Sequence, residues 1–307
     1  MMKKIALSLI MAGLVVAGCG ESTTGPTGSP DGSAPPPSDD CTTGDSYFYV
    51  VNLLDIANEM DGVSAGYNLD GRVSDVTDDE GCNQDDFTSP EGVEGVDNAM
   101  AVLLPILSSV AGNISETIQA SVNDGSILVL VELRHVNDFT NDACVGMSLY
   151  VGELPGDGVP ALTDGLLAAG QTIDINPESL DAMGEPLITV ADASITGGQL
   201  EASTEVIALP VPLMDGVVLQ LNIRNAQVGG SFNGTTMQNG IIAGVLSASE
   251  LAMSVEALDI GVGAETVEGI LEAQADMQNA DGECKSLSAT LTYSGVDAVR
   301  GEVSTVM

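Results

Sequence analysis

Three stretches of this chain alternate apolar and polar residues with a period of two, and that alternation restricts the fold more than any other feature. In CVGMSLYVGEL, Val145, Met147, Leu149 and Val151 fall on one side and Gly146, Ser148 and Tyr150 on the other. In VVLQLNIRNAQV, Leu219, Leu221 and Ile223 alternate with Gln220, Asn222 and Arg224, and KSLSATLTY repeats the pattern through Leu287, Ala289, Leu291 and Tyr293. Successive side chains of a strand point to opposite faces, so each run predicts a strand with one dry face and one wet face. Two further runs, YFYVVNLLDI from Tyr47 and ILVLVELRHV at 127–136, are near-continuously apolar and predict buried strands. The glycine-rich TGGQ at Thr196 and VGGSFNG at Val228 predict turns between strands. The expected fold is mainly β: an antiparallel β-sandwich or a jelly-roll-like domain, with a few helices packed at its edge.

The helices are also legible. In VDNAMAVLLPILSSV, Met100, Leu103, Leu104 and Leu107 have helical spacing, and Pro105 is expected to bend or end the helix. Residues 114–122 and 264–277 predict two more helices. No internal repeat is evident.

The chain carries 45 acidic residues against 7 basic ones, a net charge of −38. Phosphate binding needs clustered cations, so a nucleic-acid partner is excluded, as is attraction to anionic lipid headgroups. Disorder is not implied, because 44% of the residues are hydrophobic and only 17% are charged, enough for a sizeable core. Tryptophan is absent and aromatics make up only 3%, which disfavours sugar platforms built on stacked rings.

The first residues, MMKKIALSLIMAGLVVAGCG, place Lys3 and Lys4 before an apolar run from Ile5 to Ala17 and then small residues before Cys19. This is the layout of an export signal, and the apolar run is shorter than the ~20 residues of a membrane span. Val16, Ala17, Gly18 and Cys19 resemble the lipobox of bacterial lipoproteins. That resemblance, which covers only the first ~20 residues, implies cleavage before Cys19, a diacylglycerol on its thiol, and durable anchoring in the membrane. Gly20 in the second mature position points to the outer membrane, at its periplasmic face or at the cell surface. Residues 1–18 are then a signal peptide, 19–45 a flexible tether rich in Ser, Thr, Gly and Pro, and 46–307 a mainly β globular domain. In an exported chain the remaining Cys41, Cys82, Cys144 and Cys284 suggest two disulfides. Three pairings are possible, and Cys41–Cys284 with Cys82–Cys144 is the expected one. A zinc site is disfavoured, since no two of these cysteines are close in sequence and the chain has one histidine.

Between Asp61 and Asp97 lie eleven acidic residues in 37 positions, with Arg72 the single cation. Long loops in compact domains are usually functional, and oxygen-rich loops with glycine turns suit calcium, which takes six to eight oxygen ligands. The segment NLDGRVSD resembles the short calcium loops of EF-hand-like and thrombospondin-type repeats. A complete EF-hand fails: with Gly71 as its turn glycine, the anchoring positions fall on Gly66 and Thr77. The expected calcium ligands are therefore Asn68, Asp70, Ser74, Asp75, Asp78 and Asp79, with Asp85, Asp86, Asp97 and Asn98 as further candidates.

Catalytic motifs are sparse. GVSAG at 62–66 matches the Gly-x-Ser-x-Gly nucleophile elbow, but that motif needs a strand before the serine, a helix after it, and a histidine downstream. The sole histidine, His135, falls in phase with Val129, Val131 and Leu133 on an apolar strand, where a structural role is expected. Carboxylate pairs of the glycosidase kind have abundant candidates and nothing that selects among them. The reading is a non-enzymatic, membrane-anchored envelope lipoprotein whose β domain is structural or binds a cell-surface or protein partner, with calcium ordering its acidic loop. The alternative is a secreted hydrolase using carboxylates, or Ser64 with His135.

Overall fold

The computed structural model describes residues 42–156, 158–214, 217–256 and 263–304. The chain is mainly β, with four helices among the described residues. Eight long strands run in chain order: β1 (Asp45–Ile56), β2 (Val129–Val136), β3 (Asn141–Glu153), β4 (Ile188–Thr196), β5 (Gln199–Met214), β6 (Val217–Phe232), β7 (Thr236–Ser247) and β8 (Cys284–Val303). Each pairs antiparallel with its successor. β8 then pairs antiparallel with β1, from Tyr49↔Asp297 to Ile56↔Leu291. The sheet therefore closes into an eight-stranded up-and-down barrel instead of stacking as the two sheets of the expected sandwich or jelly roll. Closure removes the exposed edges that an open sheet must protect.

The alternation read from the sequence decides which side of the wall faces in. Val51, Val131, Met147, Val228, Ile242 and Tyr293, from six different strands, meet in the interior around a void of only about 10 Å³. At eight strands the side chains are just able to fill the lumen, so this barrel is packed solid. On the far side of the ring the outward residues are polar: Glu201, Ser203 and Glu205 on β5 and Arg224 on β6 are exposed. Where a large inward ring needs room, the neighbour is glycine. Gly240 faces Tyr293 across β7 and β8, and a Cβ there would lie 2.5 Å from the ring.

The segment VGGSFNG does not form a turn at Val228. Residues up to Phe232 continue β6, and the turn comes at Asn233, whose side-chain oxygen accepts from the Thr235 and Thr236 N–H groups, both at 2.9 Å. β3 likewise departs from the simple wet-and-dry reading, because Ser148 and Tyr150 are buried on its outer face. There Tyr150 donates to Glu132 Oε2 at 2.6 Å, and Arg300 pairs with Glu132 Oε1 at 3.1 Å while its guanidinium lies 5.6 Å from the Tyr150 ring centroid. A short strand, Gln171–Ile175, covers the adjoining edge, pairing parallel with the end of β8 and antiparallel with Gly152 and Glu153.

The helices occupy two of the connections. Between β1 and β2 come α1 (Ala99–Ala111) and α2 (Ile114–Asn123); between β7 and β8 come α3 (Ala248–Glu256) and α4 (Ala264–Glu272). α2 touches both β1 and β5. Those strands stand opposite each other in the ring, so α2 crosses one open end and buries Ile114, Ile118 and Val122 there. Pro105 sits inside α1 without ending it.

Candidate functional site: the acidic loop and its buried carboxyl groups

The acidic loop leaves β1 and returns at α1. Four short strands frame it, Glu59–Met60, Val63–Ser64, Phe87–Thr88 and Glu94–Val96, joined in that order into a small sheet. A disulfide between Cys82 and Cys284 pins the loop to the start of β8, with Cα atoms 5.7 Å apart. This replaces both expected pairings, Cys41–Cys284 and Cys82–Cys144. The reason is the barrel's length. Cys284 opens β8, at the end of that strand nearer Ile56, which is the acidic-loop end, whereas Cys144 lies near the start of β3, beside the β2 terminus that pairs with Asp45. Cys144 is itself disulfide-bonded. Cys19 and Cys41 lie outside the described residues.

Within the loop, carboxylates and amides act as acceptors for backbone N–H groups. Asp70 accepts from the Arg72 N–H at 2.8 Å, Asp75 from the Thr77 N–H at 2.7 Å, and Asp78 from the Glu80 N–H at 3.0 Å. Asn68 accepts from the Gly71 N–H at 2.6 Å and donates to the Arg72 carbonyl. Asp86 accepts from the Ser74 N–H at 2.5 Å and Asp85 from the Val76 N–H at 3.1 Å. The buried Ser74 donates to Asp78 at 3.3 Å, and Arg72 pairs with Glu80. The six residues expected to ligate calcium are thus spread along the loop, with Asp75 and Asp79 exposed. Among the described residues, no three His, Cys, Asp or Glu side chains are grouped so as to hold a metal ion.

The deepest acid of the loop was named in sequence only as a further candidate. Asp97 is 2% exposed and accepts from the Leu69 N–H at 2.6 Å and, more weakly, the Asp70 N–H at 3.3 Å. Burial pushes its pKa up to about 7; the Leu69 hydrogen bond opposes this, and the like charges of Asp70, Asp276 and Asp86 add to it. Asp86 is raised as well, chiefly by burial, against the pull of the Ser74 N–H.

Asp276, which sequence reasoning missed, approaches from the connection before β8 and is 8% exposed. Its carboxylate accepts from the Ser288 N–H at 2.8 Å and from the Ser288 hydroxyl, while Ser288 Oγ accepts from the Ala99 N–H at 2.8 Å. Asn98, the N-cap of α1, makes no side-chain cap. Asp276 and Ser288 therefore supply from a distance what the local residue does not, an acceptor at an orphan helix N–H. Burial raises Asp276 to about 6, against the Ser288 hydrogen bonds. No sequence signal marks it, because its role depends on a contact between distant segments.

Ser64 lies on the short strand Val63–Ser64, 2% exposed, and no helix follows it. Its hydroxyl accepts from Asn98 Nδ2 at 2.8 Å and faces the Asn58 and Ala65 carbonyls at 3.2 Å. His135 sits beside the start of β1, with φ 64°, whereas Ser64 follows the end of β1. A strand of that length spans on the order of 35 Å, so the two side chains belong to opposite ends of the barrel and no nucleophile–base pair forms.

No family model matches this chain, and neither a curated protein nor a solved structure matches it.

Proposed function

We propose that this chain is a bacterial envelope lipoprotein, exported, lipidated at Cys19 and held at the outer membrane, whose barrel is a non-catalytic domain that is structural or binds a partner. One observation carries the non-catalytic part: the interior, where an eight-stranded barrel could hold a small molecule, is filled to within about 10 Å³. Of the two acids with the highest carboxyl pKa values, Asp97 spends one oxygen on the Leu69 and Asp70 N–H groups and Asp276 spends both on Ser288, and the two are almost wholly buried. Neither of these two acids lines an open cleft, so the hydrolase alternative gains nothing from their raised pKa values. Calcium enters this reading in a reduced form. Several of the loop's carboxylates accept backbone N–H groups with one oxygen and keep the other for a cation, so in this reading calcium adds to turns already made and is not needed to shape the loop.

The test is metabolic labelling with a radioactive or clickable fatty acid in a bacterial host. Wild type is expected to incorporate label and fractionate with the outer membrane, and Cys19→Ser to lose both. Equal labelling of the two, or release of wild type as a free exported protein, overturns the anchoring.

A further inference from the structure

Just past the end of β1 is an open cleft of about 260 Å³ lined by Asp55, Asn58, Met60, Val63, Ser64 and Pro90, among others. We propose that it binds a primary alkylammonium group, and that the group is a lysine side chain presented by a partner polypeptide. The proposal stands independently of the lipoprotein reading.

The first argument is unspent hydrogen-bonding capacity. Asp55 Oδ1, on the lining, is buried with no partner; behind the lining, Asn98 Oδ1 and the Thr290 hydroxyl are without partners too, Asn98 at 1% and Thr290 at 0% exposure. Asn98 is tied to the cleft's own lining, since its amide nitrogen donates to Ser64 Oγ at 2.8 Å and to the Ala57 carbonyl at 3.2 Å. Thr290 is tied to it as well, its carbonyl accepting from the Ala57 N–H at 2.9 Å. Orphaned buried acceptors are uncommon in folded proteins and call for a donor. Asp55 can turn its carboxylate toward the cleft about a soft terminal torsion. The deficit is one of donors, which an ammonium brings in threes. Asp55 and the Ser64 hydroxyl, acceptors on separate residues of the lining, suit a rotatable point charge better than the flat fork of a guanidinium.

The second argument is the wall. Met60 is 74% exposed, Val63 39%, and Pro90 is exposed beside them. An apolar rim around an anionic floor fits a lysine, whose methylene stem packs on apolar surface while its head seeks charge. The surplus of apolar rim beyond the stem favours a lysine carried on a chain over a free amine, because a neighbouring residue would cover it. The third argument is electrostatic. Glu59, Asp61 and Glu91, each next in sequence to a residue of the lining, are exposed, and no Lys or Arg lines the cleft. Among the described residues the one lysine is engaged elsewhere, Lys285 pairing with Glu283 at 3.1 Å, and 45 acids against 7 bases make a cationic partner the complementary one.

The experiment titrates the mature chain by calorimetry with Nα-acetyl-lysine methylamide, a short Gly-Lys-Gly peptide, 1,5-diaminopentane and the neutral pentan-1-ol. Expected are saturable binding of the three amines, none of the alcohol, and tightest binding of the peptide. Asp55→Asn is expected to weaken amine binding about tenfold or more, while Glu205→Gln, exposed on β5 across the barrel from the cleft, changes it less than about twofold. Val63→Trp, which fills the cleft without touching a polar group, should abolish binding and keeps the test open if Asp55→Asn fails to fold. Unaltered affinity in both Asp55→Asn and Val63→Trp, or binding of pentan-1-ol equal to that of the amines, overturns the site. Tighter binding of diaminopentane than of the peptide overturns its assignment to a polypeptide.

Discussion

Replacing Asp97 with Asn should make the protein more stable at neutral pH, although the side chain is buried and hydrogen-bonded. An ordinary aspartate in the unfolded chain titrates near 3.8, and folding lifts this one to about 7. Between those values the folded state binds more protons than the unfolded state, so stability falls as pH rises through the window. The favourable contribution is complete below the unfolded value and gone above the folded one. Three units at about 1.36 kcal/mol each set a ceiling of about 4 kcal/mol on the loss. Asp86 and Asp276 are raised by burial as well, so part of that loss is shared with them. A net effect of about 2 kcal/mol is therefore the working figure. Asn keeps a carbonyl oxygen for the Leu69 N–H and cannot ionise. Urea unfolding at fixed ionic strength, in steps from pH 4.5 to pH 8.5, should show the wild type weakening relative to Asp97→Asn across the window, with the variant the more stable of the two at pH 8. Parallel profiles, or a wild type that gains on the variant as pH rises, would refute the argument.

Three further outcomes are expected. Breaking the bridge with Cys82→Ser and Cys284→Ser releases a crosslink between residues 202 apart, for which the chain-entropy model gives an upper value of about 5 kcal/mol; limited proteolysis should then cut within residues 61–97, and an unchanged digest would count against the bridge as the loop's anchor. Gly240→Ala places a Cβ 2.5 Å from the Tyr293 ring and should cost about 1–3 kcal/mol by overpacking, read as a lower thermal midpoint; a midpoint at or above wild type would mean the ring has room to move. Stripping divalent ions with a chelator should leave the loop's protease resistance unchanged, and a chelator-induced digest within 61–97 would restore calcium as the loop's clamp.

The strands were legible because alternation is a local property. β1, β2, β3, β6 and β8 all fall where the apolar runs put them, and α1 and α2 where the helical spacing does. Closure was not legible, since two stacked sheets and one closed sheet need the same alternation. What distinguishes them is the pairing of β8 with β1, between residues far apart in sequence. The glycine pair in VGGSFNG misleads for a related reason. Gly229 is required inside the strand, where a Cβ would meet the Tyr67 hydroxyl and where the Tyr293 hydroxyl donates to the Gly229 carbonyl at 3.1 Å. Glycine marks close approach there, not a bend. Asp55 shows no local signal either; its place in the cleft depends on how the acidic loop folds back over the end of β1.

The same sequence spacing serves two chemistries, and the loop's acids make the hydrogen bonds of one of them. Oxygen side chains two residues apart beside a glycine suit a calcium loop, but an Asp or Asn also makes a tight turn by accepting from the N–H two residues on. Asp70, Asp75 and Asp78 do this inside the loop, and Asp124, Asp138, Asn176, Asp181, Asn233 and Asn279 do it elsewhere. The arrangement therefore recurs in turns throughout the described residues, where six of the nine acceptors are aspartates. It also separates the two chemistries experimentally. A turn needs only the oxygen, so Asp78→Asn should keep the acceptor for the Glu80 N–H and leave stability near wild type, while Asp78→Ala loses about 1 kcal/mol. A metal site needs the charge, so there both variants would lose affinity and stability together. Thermal melts of the two variants with and without added calcium decide between them: an Asn variant as weak as the Ala variant, with the gap opening only when calcium is present, would show that the carboxylate serves a cation and not a turn.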